Sequence, residues 1–355
     1  MKGVIAAPRR APIPAVAWVL SGGVALALAV LVGTAAIRHG QQPFYNEGDA
    51  YLFRLIARHP LGSAHEFAAV GRLAEAPYRY GRIGFPLLGW LLALGRPAWV
   101  GWSLIVISVV SIASIPGIAA VLLADLGAPP ASAAVVLAAP GLLLNYGHPY
   151  ADPLLVALLL LACVLEGRGR RSAALGVLAA AILVKEVAVF ALLPWAWGAW
   201  QRRDRRAATA VAATLAPYLL WCGWIRLRLG SLPFLAHSDS RSGALGLPFL
   251  GLGQALSAHT PAIGTVFVCV VVTVALGAAA AWLARGSRIG ALAGVYTLLT
   301  VCLGKNALTF LFENLRILVV AQVFGALCLA VVIAAARQRN DGAGRRGLFV
   351  GLPDL

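Results

Sequence analysis

Side chains that could carry out a group transfer are scarce in this sequence and occur at a few places in an apolar chain. Apolar types make up 61% of the 355 residues, whereas Asp and Glu together number 13. Four of these acids lie in the first long polar segment, Arg38 to Arg96. An ionised carboxylate can take a proton from a substrate hydroxyl. Asp49 and, as the alternative, Glu47 are therefore the candidate general bases.

A short amphipathic helix is predicted to hold Asp49. Leu52, Leu55 and Ile56 recur at helical spacing behind it, and Pro60 ends the pattern. A carboxylate at a helix start accepts hydrogen bonds from free backbone amides and is stabilised by the positive end of the helix dipole. Asp49 is thus a candidate N-cap as well as a candidate base, and one role does not exclude the other.

Lys185 and Glu186 interrupt the apolar run from Ser172 to Trp200. Charges inside such a run are unfavourable in a membrane and are functional candidates by default, although the pair could also mark a water-facing turn between two short helices. In the functional interpretation Lys185 binds a lipid phosphate and Glu186 holds Lys185 or a loop arginine in place. Arg79 and Arg82 in the loop are further candidates for an anionic headgroup, or ordinary surface charges.

Two more polar positions flank later apolar segments. In NYGHPYAD, Asn145 to Asp152, the last residue precedes Pro153 in the pattern of a helix start. Asp152 and His148 are supporting candidates. His148 has no second histidine nearby, which favours a turn residue over a metal ligand, and no metal site is predicted. Arg316 opens the last apolar segment, where it could bind a phosphate or extend harmlessly to the interface.

The composition is that of a membrane protein rather than a nucleic-acid-binding one. The net charge of +16 comes largely from short basic clusters between apolar segments, which is the pattern of cytoplasmic loops. The five cysteines form no CxxC and indicate neither a disulfide framework nor a zinc site. Walker, H-E-x-x-H and G-x-S-x-G motifs are absent from the sequence. A sugar or other group would have to arrive already activated.

The apolar segments predict an all-α polytopic membrane protein with about 10 transmembrane helices. Residues 1–14 are expected to be cytoplasmic, residues 15–336 to form a single transmembrane domain, and residues 337–355 to be a cytoplasmic tail. Residues 38–97 would then be an extracytoplasmic loop with juxtamembrane helices. Its apolar part, Ile83 to Leu94, covers only about 18 Å. We predict that it does not cross, because a crossing would place the later arginine clusters outside.

Several of the middle segments predicted to cross are short, at about 13 or 14 residues. They are Ala131 to Leu144, Pro153 to Leu165, Ser172 to Val184 and Val187 to Trp200. Short spans packed behind longer ones would leave a cavity open to one side. The candidate polar residues lie at the outer ends of these segments, so we expect them to converge on one membrane face.

This layout resembles the GT-C superfamily of integral membrane glycosyltransferases. The features that carry the resemblance are the long first outer loop with an acid near its start, the short middle spans and the Lys-Glu pair at an outer hairpin. EGDAYLFRLIA (Glu47 to Ala57) and YRYGRIGFPLLGWLLALG (Tyr78 to Gly95) also look like a bacterial family linked to cell-surface glycopolymer formation and, more distantly, like GPI mannosyltransferases. The resemblance covers approximately Ala15 to Trp200.

The resemblance implies inverting transfer of a sugar from a polyprenyl-phosphate donor to a hydroxyl of a glycan or glycolipid. By carry-over Asp49, or Glu47, would be the base, and Lys185 would bind the donor phosphate with help from Arg79 or Arg82. It implies no metal or other cofactor and a bacterial plasma membrane location, with membrane lipid and no nucleic acid as partner. Two alternatives stay open: a lipid or sugar transporter or flippase, and a non-catalytic assembly subunit.

Overall fold

The computed structural model describes residues 12–45, 48–61, 64–143, 145, 148–235, 245–257, 263–284, 286–305, 308 and 311–340. Within these ranges the chain consists of helices and their connections, and the only extended pairing there is an isolated antiparallel bridge between Leu245 and Leu303. The expected all-α class is therefore confirmed for the described part of the chain. The expected cytoplasmic N-terminus and C-terminal tail lie mostly outside the described residues.

The α-helices are numbered in chain order. They are α1 (Ala15–His39), α2 (Gly48–Arg58), α3 (Ala64–Ala69), α4 (Ala76–Tyr80), α5 (Gly84–Leu92), α6 (Pro97–Asp125), α7 (Pro140–Leu143), α8 (Asp152–Gly167), α9 (Arg171–Val184), α10 (Leu192–Gln201), α11 (Arg205–Ala213), α12 (Ala216–Leu229), α13 (Leu250–Leu256), α14 (Ile263–Leu283), α15 (Arg288–Val301) and α16 (Leu311–Asn340). Further 3₁₀ helices cover Gln42–Phe44, Leu73–Glu75, Pro130–Ala138 and Glu186–Ala191.

Five helical stretches are long and apolar enough to cross a membrane. They are Ala15–His39, Pro97–Asp125, Arg205–Leu229, Ile263–Leu283 and Arg316–Gln338. These helices are consistent with a helical membrane protein, but the count of about ten crossings is not confirmed. The shorter helices α8 and α9 have 16 and 14 residues. At 1.5 Å per residue they cover about 24 and 21 Å, less than a hydrocarbon core of about 30 Å.

Two of the predicted middle spans are not continuous α-helices. Ala131 to Leu144 contains the 3₁₀ helix Pro130–Ala138 followed by α7, and the change falls just before Pro140. Proline lacks the amide that a continuing helix would need. Val187 to Trp200 likewise begins as a 3₁₀ helix and continues as α10. Sequence hydropathy identified these segments as apolar but could not distinguish the two helix types.

The long loop contains the predicted short helices. The amphipathic helix expected behind Asp49 is α2, which ends at Arg58, two residues before Pro60. The apolar part of the loop forms α5, nine residues long and thus about 14 Å, which packs against α2, α6 and α9. Gly84 at the start of α5 touches the end of α9, because a Cβ atom there would lie 2.7 Å from the backbone nitrogen of Val184. The loop is thereby held against the helical bundle.

The bundle is built around α6, which packs against α1, α5 and α8, while α14, α15 and α16 pack against one another. Small residues allow close approach, as is common between membrane helices. A Cβ on Gly117 of α6 would lie 3.1 Å from the carbonyl oxygen of Ala17 in α1. One buried apolar cluster extends from Ala17 to Ala334 and joins the helices of both groups.

Charged residues meet at both ends of α8. At its start, Asp152 contacts Lys185, which follows the end of α9. Beyond its other end, Arg168 Nε lies 2.8 Å from Oδ2 of Asp125, the last residue of α6. Near that end Glu166 also pairs with Arg288 at the start of α15. α8 therefore runs antiparallel to α9 and α15, and these charged groups lie in two layers separated by apolar helix.

Candidate active site

Seven of the residues selected from the sequence form one network of ion pairs, together with Glu75. We call this network the charge cluster. It contains four carboxylates and four cations from five segments of the chain: Asp49, Glu75, Arg79, Arg82, Asp152, Lys185, Glu186 and Arg316. The structure thus brings these side chains together at one end of the bundle, while their position on one membrane face stays a prediction.

Asp49 is the centre of the charge cluster. Its Oδ1 accepts a hydrogen bond from Nη1 of Arg79, while its Oδ2 lies 3.3 Å from Nη1 of Arg82 and 3.0 Å from Nη2 of Arg316. The residue is only 4% exposed. A carboxylate surrounded by three guanidinium groups is held firmly in its charged form. Asp49 lies within the first turn of α2, which begins at Gly48, so the N-cap interpretation is wrong.

Asp152 forms a second centre, one step away from Asp49. Nζ of Lys185 donates to its Oδ1, and Nε of Arg316 lies 3.3 Å from its Oδ2. Arg316 therefore bridges the two aspartates. Burial by itself raises the pKa of Asp152, but Lys185 and Arg316 outweigh it and lower the pKa below its ordinary value. Asp152 is thus an anion at neutral pH and holds two of the four cations.

Glu186 completes the cluster on the other side of Arg82. The guanidinium reaches both oxygens of Glu186, with Nε to Oε2 at 2.8 Å and Nη2 to Oε1 at 2.6 Å. Burial alone raises the pKa of Glu186, but the paired Arg82 reverses this and lowers the pKa to about 2. Arg82 also donates to the hydroxyl of Tyr78, whose ring lies 4.5 Å below the guanidinium. The bidentate pair with Glu186 fixes the orientation of Arg82.

Local geometry in the loop places two of the three arginine partners of Asp49. Arg79 belongs to α4 and also lies 3.3 Å from Glu75, four residues earlier on the same helical face. Arg82 follows α4, and the close contact of Gly84 with Val184 then brings it beside Lys185 and Glu186. The loop and the segment that follows α9 therefore contribute to one site, because Gly84 permits their backbones to touch.

The segment between α7 and α8 contributes Tyr150, which packs beside the charge cluster. The Tyr150 ring lies 4.3 Å from the guanidinium carbon of Arg316, a cation–π contact that orients this arginine. Gly48 stands beside the Tyr150 hydroxyl with φ of +64°, a left-handed conformation that favours glycine. Since Gly48 directly precedes Asp49, this backbone geometry sets where the carboxylate enters the site.

Two candidates are not among the described members of the charge cluster. Glu47, the alternative base, lies outside the described residues. His148 takes no part in the described ion pairs: its Nδ1 lies 3.4 Å from the carbonyl oxygen of Phe44, and its ring packs against Tyr150. Among the described residues, no group of three or more His, Cys, Asp or Glu side chains is arranged to hold a metal ion.

Sequence reasoning missed three residues of the site. Glu75 had a usable signal, since an acid four residues before Arg79 is a common helical pair. Tyr78 and Tyr150 carried none, because an aromatic residue at the end of an apolar segment is ordinary in a membrane protein. Both tyrosines stack on arginines of the charge cluster.

The charge cluster has the chemistry of an anion site that the protein fills with its own carboxylates. Four cations face four carboxylates, so its formal charge is zero. Three arginines converge on Asp49, and a guanidinium presents donors in a planar fork that fits a phosphate as well as a carboxylate. An incoming phosphate could therefore take the place of Asp49.

Comparisons of the chain with protein-family models, with curated proteins and with solved structures give no match. The observations that bear on function are the charge cluster and its position at the end of a bundle of apolar helices.

Proposed function

We propose that this protein is a GT-C-type inverting glycosyltransferase. It would transfer a sugar from a polyprenyl-phosphate donor to a hydroxyl of a cell-surface glycan or glycolipid. The observation that carries the proposal is the contact of one buried carboxylate, Asp49, with three buried arginines at one end of an apolar helical bundle. A lipid-linked phosphate substrate needs cations near a membrane face, and hydroxyl activation needs a base beside them.

In this proposal the donor phosphate binds the arginines and displaces Asp49 from them. Arg79, Arg82 and Arg316 then contact the phosphate, while Lys185 remains beside Asp152 as an additional positive charge. Released from its ion pairs, Asp49 becomes free to accept a proton. The exchange replaces carboxylate–arginine contacts by phosphate–arginine contacts of similar strength.

The transfer step then needs only groups that the cluster supplies. Asp49 takes the proton of the acceptor hydroxyl while the oxygen of that hydroxyl attacks the anomeric carbon of the sugar. The bond from that carbon to the phosphate oxygen breaks, and the electron pair leaves with the polyprenyl phosphate. The arginines stabilise the charge that develops on this phosphate. Attack from the side opposite the leaving group inverts the configuration at the anomeric carbon.

The same proposal assigns the topology. The ten apolar segments would cross the plasma membrane of a bacterium, with both termini cytoplasmic and the charge cluster on the extracytoplasmic side. The antiparallel order of α8 and α9 and the two layers of charged residues support this arrangement. The second layer, with Asp125, Glu166, Arg168 and Arg288, would then lie near the cytoplasmic face with the basic clusters.

The test is sugar transfer by the purified protein in lipid nanodiscs, with a panel of polyprenyl-phosphate sugars and glycolipid acceptors. We expect Asp49→Asn to lower the rate by about 10²- to 10⁴-fold, the usual contribution of a general base. Asp125→Asn is the matched control, because it breaks a carboxylate–arginine pair in the other charged layer. Full activity of Asp49→Asn would remove Asp49 from the mechanism, and Glu47→Gln would then test the alternative base.

One observation favours a second candidate, a transporter of a lipid or sugar. Ion pairs close both ends of α8, Asp152 with Lys185 at one end and Glu166 with Arg288 at the other. Paired charges of this kind can act as two gates that open in turn. Proteoliposomes loaded with labelled polyprenyl-phosphate sugar discriminate the two functions: a transporter moves the label across the bilayer without changing it, whereas a transferase changes it chemically. If the label is neither moved nor changed, the result favours an assembly subunit.

A further inference from the structure

A cleft between α6 and α8 lies beside the charged layer that contains Asp125 and Arg168, at the end of the bundle opposite the charge cluster. Its volume is about 330 Å³. Its lining includes Ile13 before α1, Val121 of α6, Leu161 and Val164 of α8, and Arg168 and Arg170 beyond the end of α8. We call it the α6–α8 cleft. Its volume falls at the lower end of the range of about 300–1,000 Å³ that is typical of ligand sites.

The two arginines of the cleft differ in their surroundings. Arg168 makes a bidentate pair with Asp125, at 2.8 and 3.2 Å, and its charge is therefore balanced within the protein. Arg170 is exposed at the turn between α8 and α9. Arg171, the next residue, has an Nη1 atom 4.0 Å from Asp204. The mouth of the cleft therefore has an excess of positive charge.

The cleft extends from a polar layer into an apolar one. At one end its lining includes Arg168, which pairs with Asp125 where α6 ends. Its interior lies against Val121 and Val164, residues of the apolar bundle. A ligand that fits both parts must have an anionic group and a hydrocarbon chain.

We propose that the α6–α8 cleft binds one anionic glycerophospholipid, with an acyl chain between α6 and α8 and its phosphate at Arg170. Basic residues next to a membrane surface attract anionic lipids, and pockets of this composition between membrane helices bind their headgroups. The chain enters the apolar interior because its burial there removes apolar surface from the aqueous interface. This site is separate from the proposed transferase centre and does not depend on it.

The test is selective lipid retention. The purified protein is reconstituted with equal amounts of phosphatidylglycerol and phosphatidylcholine and extracted gently, and native mass spectrometry counts the lipids that remain. We expect the wild type to keep one phosphatidylglycerol in preference to phosphatidylcholine. Arg170→Gln should lower this preference about fivefold, the contribution of one arginine near a membrane surface. Leu161→Trp should narrow the cleft and lower the retention of lipid.

Two variants serve as matched controls. Arg202→Gln removes an exposed arginine from the end of α10, and Leu219→Trp enlarges an exposed leucine of α12. Both should retain lipid as the wild type does, and thermal unfolding checks that every variant is folded. Equal retention of both lipids by the wild type would mean nonselective lipid contact and would overturn the proposal. Retention of phosphatidylglycerol that survives Arg170→Gln would also overturn it, even if Leu161→Trp did not fold.

Discussion

Replacing Asp49 by asparagine removes the carboxylate that three buried arginines share while keeping the size of the side chain. Without ligand, Arg79, Arg82 and Arg316 would then face one another with an excess positive charge, and the charge cluster would change from neutral to +1. Removing one partner of a buried ion pair costs about 3–5 kcal/mol of stability. We therefore expect the ligand-free Asp49→Asn variant to unfold at a lower temperature than the wild type.

The same substitution should strengthen donor binding, although it stops transfer. In the wild type a donor phosphate must compete with Asp49 for the arginines, whereas in the variant it meets no competing carboxylate. Phosphate binding to the variant no longer has to break at least one charge-assisted hydrogen bond of Asp49, which is worth about 1.5–3 kcal/mol. At 1.4 kcal/mol per tenfold change, the Kd for polyprenyl phosphate should fall by roughly 10- to 150-fold.

The assay is direct binding of polyprenyl phosphate without sugar, so that no turnover is needed. Thermal shift in nanodiscs gives a second readout, since the stabilisation by a ligand rises with the logarithm of the ratio of its free concentration to its Kd. Glu166→Gln, which breaks a largely buried carboxylate–arginine pair near the other end of α8, should leave the Kd unchanged. A folded Asp49→Asn variant that binds polyprenyl phosphate no better than the wild type would refute the exchange of carboxylate for phosphate. It would leave open transfer by another binding mode, which the transfer assay measures separately.

Two further predictions concern the surroundings of the cluster. Because the pKa of Glu186 is lowered from 4.5 to about 2 by Arg82, its stabilising contribution should be present above about pH 4.5 and be lost as pH falls toward 2. Glu186→Gln should therefore flatten the wild type's acid-dependent loss of stability in this window, and an unchanged pH profile would contradict the pairing. Gly84→Ala should destabilise by about 1–3 kcal/mol and weaken donor binding, because its Cβ would press on Val184 beside Lys185. Gly176→Ala, with nothing within 4 Å of the added Cβ, is the control that should not destabilise the protein; equal loss in both would contradict this contact.

The members of the charge cluster were recognisable in the sequence because charges are rare in so apolar a chain. Lys185, Glu186 and Arg316 each interrupt or border a long apolar segment, and in a membrane such charges need a partner or a function. Their pairing could not be derived in the same way. Asp49 and Arg316 are 267 positions apart in the sequence, and periodicity carries no information about contacts of that range. The N-cap interpretation of Asp49 was wrong because local reasoning could consider only local partners.

The fold was predictable in class and less so in detail. Hydropathy identifies apolar segments, and five helical stretches of the described chain are long and apolar enough to cross a membrane. It cannot tell that residues 130–138 form a 3₁₀ helix, since this choice depends on packing against α6 and α16 rather than on residue type. Nor could hydropathy show that Gly84 touches Val184, because the one sign of this close backbone contact in the sequence is the glycine itself.

The neutral charge balance of the cluster, combined with the proposed function, favours donor binding before acceptor activation. As long as three arginines hold Asp49, its charged form is stabilised and it is a weak base for any hydroxyl, including that of water. A donor phosphate on the same arginines releases the carboxylate at the moment when a sugar is present to receive the activated oxygen. The arrangement would thus couple the strength of the base to occupancy of the donor site. Glu186 and Asp152, which keep their own cations, would hold Arg82 and Lys185 in position during the exchange.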